Sequence, residues 1–320
     1  MSEQKPSILV TALNPSIDVE WRVSTVHWEE KNTILSERRW AGGKGVNVAR
    51  WIRHLGGEPA LLLPLGGQNG KELLQGLEIE NLPVRPIQLE QETRANIIVT
   101  TSAGRQLRFN PAGPDLSSDS WKKLRVALGR ELKTVSLAVF SGSQPRGVSA
   151  SGYRELVSIA QRQGIRCILD CDGAPFAEGL RAKPFLVKPN AYELGQWGGR
   201  ILRTRHDIRA MARRLAKATG NWVFVSLGKA GALLLNARGD YFEARAPKVA
   251  EVNTVGAGDA TVAGVALAIS QQCSPEEWLK AGVSCGSAAV EYPAGVIAPL
   301  RKIRGLNRKI IVSQSAERKL

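Results

Sequence analysis

The sequence predicts an α/β fold, a three-layer sandwich built on a mainly parallel central sheet. Short apolar runs of strand length alternate with helical patterns along most of the chain. The connections between them are short, and glycine or polar turns recur where the strand runs stop. With 320 residues, 43% hydrophobic and 23% charged, the chain has room for one large α/β domain or two small ones and enough apolar surface for a substantial core.

Ile8-Leu-Val-Thr-Ala-Leu13 is β-branched and apolar and reads as the first buried strand. Asn14-Pro15 stops it, because a residue before proline is driven to extended or turn backbone. Ser16 and Asp18 are thereby presented at a strand end, where open α/β sheets bind ligands. Asp18 is either an acceptor for two sugar hydroxyls or a turn residue. Residues 19–39 alternate polar and apolar without a helical period, as strands that leave the main sheet do. Ala41-Gly42-Gly43-Lys44-Gly45 opens a helix, residues 46–55, closed by Gly56-Gly57. Glycines at a helix start let backbone amides approach a ligand, and Asn47 on the first turn can donate to or accept from a hydroxyl. It is not a Walker loop, since no Ser or Thr follows the Gly-Lys pair.

Residues 60–65 form a second buried strand, with Gly66-Gly67-Gln-Asn-Gly70 turning into another helix. Residues 92–100 and 106–109 read as a hairpin around Ser102-Ala-Gly104. From Ser117 the pattern runs helix (120–131), strand (135–140), the turn Ser141-Gly-Ser143-Gln-Pro145, helix (151–163) and strand (167–170). Residues 185–188 are a strand entering a helix at Asn190, with Glu193 on its first turn. The pair is a capping arrangement and also a carboxamide and carboxylate suited to hydrated Mg²⁺. Residues 222–227 are the next buried strand, followed by a turn carrying Gly228 and Gly231. The helix at 281–290 is rich in small residues, which permit close helix packing or a flat adenine pocket.

Glu251-Val-Asn-Thr254-Val-Gly256-Ala257-Gly258-Asp259 runs directly into the apolar segment 260–269. Two glycines around one small residue let successive N–H groups converge at a helix start, a concavity that attracts anions. Asp259 directly behind it is placed to act as a general base toward a hydroxyl attacking a bound phosphate. By itself the tetrapeptide is equally a tight turn with an Asp cap.

Taken in order, Asn14-Pro-Ser-Ile-Asp18, Ala41-Gly-Gly-Lys-Gly-Val-Asn47, Ser141-Gly-Ser143, Lys188-Pro-Asn-Ala-Tyr-Glu193, Ser226-Leu-Gly228 and Gly256-Ala-Gly-Asp259 resemble the PfkB (ribokinase-like) sugar kinases, most of all the phosphofructokinase branch. The likeness extends from about residue 8 to about residue 300. It implies one kinase domain over 1–320, with a small β-sheet lid from about 14–39 and 91–110, using ATP and Mg²⁺. Residue by residue, it implies Asp259 as base, with the Gly256, Ala257 and Gly258 amides on the transferred phosphoryl group. On the sugar side it implies Asn14, Ser16, Asp18, Gly42, Gly43, Lys44 and Asn47. Arg94, Arg108, Ser141, Ser143 and Lys31 are implied around the substrate's own phosphate, Lys31 in some members reaching from a neighbouring subunit. Lys188, Asn190, Ser226, Gly228, Gly231 and Thr254 are implied around the nucleotide, and Asn190 with Glu193 around the metal.

The stretch 186–202 leans toward a 1-phosphofructokinase, with fructose 6-phosphate and tagatose 6-phosphate as competing acceptors. Gln144, where relatives usually carry an apolar residue, and Thr33, where many carry a basic one, depart from the pattern near the expected sugar phosphate. Two other classes remain open at this point. One is a kinase of a non-phosphorylated sugar or nucleoside, which would leave Arg94, Lys31 and Ser143 without a phosphate partner; the other is a non-catalytic regulatory protein on the same fold.

Four cysteines without Cys-x-x-Cys spacing and three histidines indicate neither a zinc site nor a disulfide framework. The opening residues show no signal-peptide pattern, and no apolar run approaches the ~18 residues of a membrane span. A cytoplasmic protein is predicted, with no membrane partner and a homodimer through the lid strands. The net charge of +15 is dispersed, with concentrations only at 200–214 and 301–319. Solvated helix faces and electrostatic steering of anionic substrates explain it better than nucleic-acid binding.

Overall fold

The computed structural model describes residues 7–314. The N-terminal segment read above for a leader, and the end of the basic tail, lie outside the described residues.

The chain opens with β1 (Ser7–Thr11), then β2 (Ser16–Val23) and β3 (Ser36–Gly42). Next come α1 (Lys44–His54), β4 (Glu58–Gly66), α2 (Gly67–Ile79), β5 (Val84–Leu89), β6 (Arg94–Thr101) and β7 (Gln106–Phe109). They are followed by α3 (Ser118–Glu131), β8 (Leu137–Ser141), α4 (Gly152–Arg162), β9 (Arg166–Asp170), α5 (Gly173–Leu180), β10 (Leu186–Val187), α6 (Ala191–Gly198) and α7 (Arg205–Thr219). The last part holds β11 (Trp222–Ser226), β12 (Ala232–Leu235), β13 (Tyr241–Ala244), α8 (Ala257–Ser270), α9 (Pro275–Ala289), α10 (Leu300–Asn307) and β14 (Val312–Gln314).

The main sheet has ten strands in the order β14-β13-β12-β11-β10-β9-β8-β1-β4-β5. Pairing is parallel from β5 through β11 and antiparallel from β11 to β14. A second, four-stranded sheet has the order β3-β2-β6-β7. The expected hairpin is β6 and β7, but β6 also pairs parallel with β2, so the two excursions from the main sheet join into one surface.

Strand alternation divides the core into two layers. Ile8, Val10, Leu61, Leu63, Leu137 and Val139 point to one face, under α1, α8 and α9. Leu9, Leu62, Ala138 and Phe140 point to the other, under α3, α4 and α7. The small sheet is tied in by Ile17, Val19 and Ala41, which pack with Leu73 and Leu77 of α2.

α8 is apolar on every side, and each residue from Asp259 to Ile269 is buried, as an all-round apolar helix requires. The small residues of α9 serve that packing. A Cβ on Gly264 would lie 2.6 Å from the Ala281 carbonyl oxygen, and one on Gly286 would lie 2.5 Å from Thr261 Oγ1. α9 begins earlier than its small-residue run suggests, because Ser274 and Glu277 form a capping box with Pro275 at the first helical position.

Candidate active site

Asp18 lies on β2 between Trp40 of β3 and Asn96 of β6. Its Oδ1 accepts from Ser16 Oγ and from Asn96 Nδ2, both at 2.8 Å, and Asn96 Nδ2 also donates to Ser16 Oγ at 2.9 Å. The three side chains are mutually bonded, which fixes the carboxylate plane. Burial raises the Asp18 pKa, opposed by its two bonds and by the charges of Arg94 and Arg50. Gly42 makes room for it: a Cβ there would lie 2.3 Å from the Asp18 carboxyl. Gly43, with φ +97, passes over Pro15 and Ser16 where a side-chain-bearing residue would be strained.

Arg94 does not hang free at a sheet edge. It donates to the carbonyls of Pro111 and Asn14, each at 2.9 Å, and burial lowers its pKa. Asn14 Nδ2 donates to the Ala112 carbonyl at 2.8 Å and to Ser143 Oγ at 3.2 Å. Arg94, Asn14 and Ser143 are thus linked in one chain of hydrogen bonds. Arg108 sits on exposed β7, bonded to Gln106, and Lys31 on the exposed loop 24–35. Thr33 shares that loop. Gln144 donates to the Val148 and Ser149 carbonyls at 2.8 and 2.5 Å. Its amide braces its own turn, which accounts for a polar residue at that position.

A buried charge network lies near Asp259. Lys188 pairs with Asp170 at 3.1 Å, both almost wholly enclosed, and Ser141 Oγ donates to Asp170 Oδ2 at 3.0 Å. Ser141, expected at the sugar phosphate, is thus turned to a carboxylate at the end of β9. Burial alone would raise the Asp170 pKa, but Lys188 and Lys44 outweigh it and the carboxyl stays below its ordinary value. Lys44 belongs to this network as well. Asp170 chiefly, with Asp259, Glu193 and Asp172, raises its pKa.

Asp259 stands on the first turn of α8, and its Oδ2 accepts from Asn47 Nδ2 at 2.9 Å. Burial pushes its carboxyl up to about 7; Asp170 adds to the rise, while Asn47, Lys44 and Lys188 oppose it. Gly256 takes the left-handed conformation, φ +81, with open space beside it. A Cβ on Gly258 would lie 3.7 Å from Lys188 Nζ, so a cation stands beside the amide concavity. Exposed Thr254 precedes it. Asp18, Asn47 and Gly256 line one narrow cleft together with the loop 293–297.

Asn190 caps α6. Its Oδ1 accepts the Glu193 N–H and Glu193 Oε2 accepts the Asn190 N–H, each at 2.8 Å. Asn190 also bridges to Ser226. Gly228 turns with φ +55 beyond β11, and Gly231 with φ +101 packs on the Ala244 carbonyl, where a Cβ would lie 1.9 Å away.

Residues 16–302 match the profile of the pfkB family of carbohydrate kinases. The chain belongs to this family. It is 36% identical over 285 residues to the ATP-dependent 6-phosphofructokinase isozyme 2 of Escherichia coli, covering 88% of this chain and 92% of that protein. It is 32% identical over 282 residues to 1-phosphofructokinase of Bacillus subtilis (88% and 91% covered), and 31% over 296 to a Staphylococcus epidermidis tagatose-6-phosphate kinase (91% and 94%). The crystal structure of phosphofructokinase-2 from Escherichia coli in complex with fructose-6-phosphate superposes with a TM-score of 0.85 at 33% identity, covering 96% of this chain and 99% of that one.

The pfkB kinases use ATP with Mg²⁺, and the residues present fit both. The open space beside Gly256 at the start of α8, with Lys188 next to Gly258, suits a polyphosphate. Among the described residues no cluster of three carboxylate, His or Cys ligands exists, and Glu193 has one oxygen outside the capping box. Such a donor set suits an ion that keeps waters and is held mainly by nucleotide phosphates.

Two residues of the site escape sequence reasoning. Asp170 ends a buried strand, and a carboxylate after Cys167-Ile-Leu is itself a signal. Asn96 has no local signal, because only the parallel pairing of β2 with β6 sets it beside Asp18.

Proposed function

We propose that this pfkB kinase transfers the γ-phosphoryl group of ATP to a hydroxyl of a ketohexose monophosphate. The observation that carries the reading is Asp259. A buried carboxyl held near 7, bonded through Asn47 to the sugar-side helix and preceded in sequence by a left-handed glycine turn with open space beside it, suits a general base at the meeting point of acceptor and phosphate.

In this reading Asp18 accepts from two sugar hydroxyls, and Asn14, Ser16, Gly42, Gly43 and Asn47 shape their seat. Arg94, Ser143, Arg108 and Lys31 hold the substrate's own phosphate. The attacking hydroxyl oxygen bonds to the γ-phosphorus, its proton passes to Asp259, and the bond to the β,γ-bridging oxygen breaks to release ADP. The Gly256, Ala257 and Gly258 amides and Lys188 stabilise charge on the transferred group. Lys44 and Ser141 orient Asp170 and so Lys188. Ser226, Gly228, Gly231 and Thr254 border the nucleotide, and Asn190 with Glu193 would hold waters of a Mg²⁺ ion that neutralises phosphate charge.

The whole chain works as one kinase unit, with the four-stranded sheet as a lid that excludes water. Exposed Trp28, Leu35 and Phe109 on that sheet and its loop support pairing of two lids in a homodimer. Free cysteines support residence in the reducing cytoplasm.

Fructose 1-phosphate and fructose 6-phosphate are both candidate acceptors. The 36% identity to the 6-phosphofructokinase isozyme favours the second, against the lean of residues 186–202 toward the first. A coupled ADP-release assay with Mg·ATP tests the reading, run in parallel on fructose 1-phosphate, fructose 6-phosphate, tagatose 6-phosphate and free fructose. Preference for one phosphosugar is expected; equal or better use of free fructose sinks the monophosphate assignment.

A further inference from the structure

We propose that the chain carries a second anion site, back to back with the sugar pocket, that takes an organic phosphate monoester. A cavity of ≈ 440 Å³ lies between β3, α1 and the loop 293–297. Its lining sets Arg38, Arg39, Arg50, Arg53 and His54 against a single carboxylate, Glu80.

The pairing of each arginine decides which can serve a ligand. Arg50 is committed, with two bonds of 2.5 Å to Glu80 and one to the Ala41 carbonyl. Arg39 is committed to Glu72 at 2.9 and 2.7 Å. These pairs neutralise Glu80 and Glu72. Arg53 is exposed, and its guanidinium makes no bond or ion pair among the described residues. Arg38 donates to the Ala294 carbonyl at 3.0 Å and otherwise keeps a 3.7 Å contact to Glu20. It is stacked 4.7 Å over the Trp40 ring, which holds its fork in place. Two guanidinium groups thus remain for an anion, and guanidinium geometry matches phosphate oxygens. Trp40, Leu82 and Ile297 supply apolar wall, which suits an organic ester better than a bare ion.

The site shares a wall with the sugar pocket. Trp40, Arg50, Gly295 and Ile297 also line the cleft that contains Asp18 and Asn47. Arg50 bonds the carbonyl of Ala41, one residue from the Gly42 on which the Asp18 carboxyl rests. An occupant that pulls on Arg38 or Arg50 therefore moves β3 under Asp18. The expected effect falls on KM for the sugar rather than on kcat.

Binding is read by NMR on the full chain with labelled histidine, since it has only three, His27, His54 and His206. Phenyl phosphate and inorganic phosphate are titrated separately at fixed pH, with chloride holding ionic strength constant. The His54 signals are expected to move saturably, at lower concentration with the ester. Arg53→Ala and Arg53→Glu are expected to weaken that response roughly tenfold or more, the loss of one charge-assisted contact, while leaving the ligand-free signals of His27 and His206 unchanged. At saturating ATP the ester should shift the sugar KM in the wild type but not in either variant. The binding readout stands whether or not the chain phosphorylates sugars. Unmoved His54 signals, movement reproduced by chloride alone, or unchanged affinity in Arg53→Glu overturns the site; an equal response to inorganic phosphate overturns the ester.

Discussion

The carboxyl of Asp259 is enclosed at the head of α8, and its burial sets a free-energy cost on the ionised form that Asp259→Asn removes. Its pKa is pushed from 3.8 to about 7, with Lys44 and Lys188 already counted against the rise. A difference of about 3 pH units corresponds to about 4 kcal/mol. The folded carboxyl holds its proton to higher pH than the unfolded one. The part of wild-type stability that depends on this carboxyl is therefore full below about pH 4, falls as pH rises to about 7, and is level above that.

Asparagine carries no such term, and its carboxamide oxygen still accepts from Asn47. The variant should gain about 2 kcal/mol over the wild type at pH 5 and about 4 kcal/mol at pH 8.5, which for a chain of this size raises Tm by on the order of 10 °C. Thermal unfolding of both proteins at the two pH values measures it. A gain that does not grow with pH, or a variant less stable at pH 8.5, refutes the reasoning. In the same preparation turnover should fall roughly 10² to 10⁴-fold while ATP still binds, the loss that follows removal of a general base.

Other consequences are as direct. The base must be ionised to accept a proton, so kcat should rise with pH through about 7; Asn47→Ala removes the bond that most opposes the rise in Asp259 and should move that limb upward by about 1–2 units in a pH–rate profile. Gly42→Ala drives a Cβ to 2.3 Å from the Asp18 carboxyl and should lower kcat/KM for the sugar by roughly 10²-fold, with KM for ATP unchanged in steady-state kinetics. Asp170→Asn leaves Lys188 enclosed without its counter-charge and should cost about 3–5 kcal/mol in a denaturant titration.

What the sequence made legible was local. Ile8 to Leu13 read as a buried strand because β-branched and apolar residues run without a break, and β1 lies inside the sheet. Gly256 to Asp259 suggested a nest at a helix start, and α8 begins there in the left-handed geometry that a glycine permits. Asn190 and Glu193, three residues apart, foretold the cap of α6. What escaped was set by pairing between distant segments. Nothing near Asn96 indicates that β6 runs parallel to β2 rather than only folding back on β7, and that register alone brings Asn96 to Asp18. Ser141 and Lys44 looked like ligand contacts because both stand on glycine turns. Their common neighbour Asp170 sits at the end of β9, and neither the Ser141 hydrogen bond to it nor its charge beside Lys44 can be read from the local sequence.

Because α8 is buried from Asp259 to Ile269, it cannot tilt or slide without opening the core against α9 and α1. Asp259 is for that reason a stationary coordinate. The four-stranded sheet, by contrast, leaves the main sheet at four backbone crossings, around residues 12–15, 43, 90–93 and 110–117, and otherwise rests on α2 through Ile17, Val19 and Ala41. On the proposed reading, any travel that brings a hydroxyl into line falls to the acceptor's side of the molecule. In that reading, the stiffness of those four connectors, several of them bearing glycine or proline, and the contact with α2 together set how freely the acceptor's side moves.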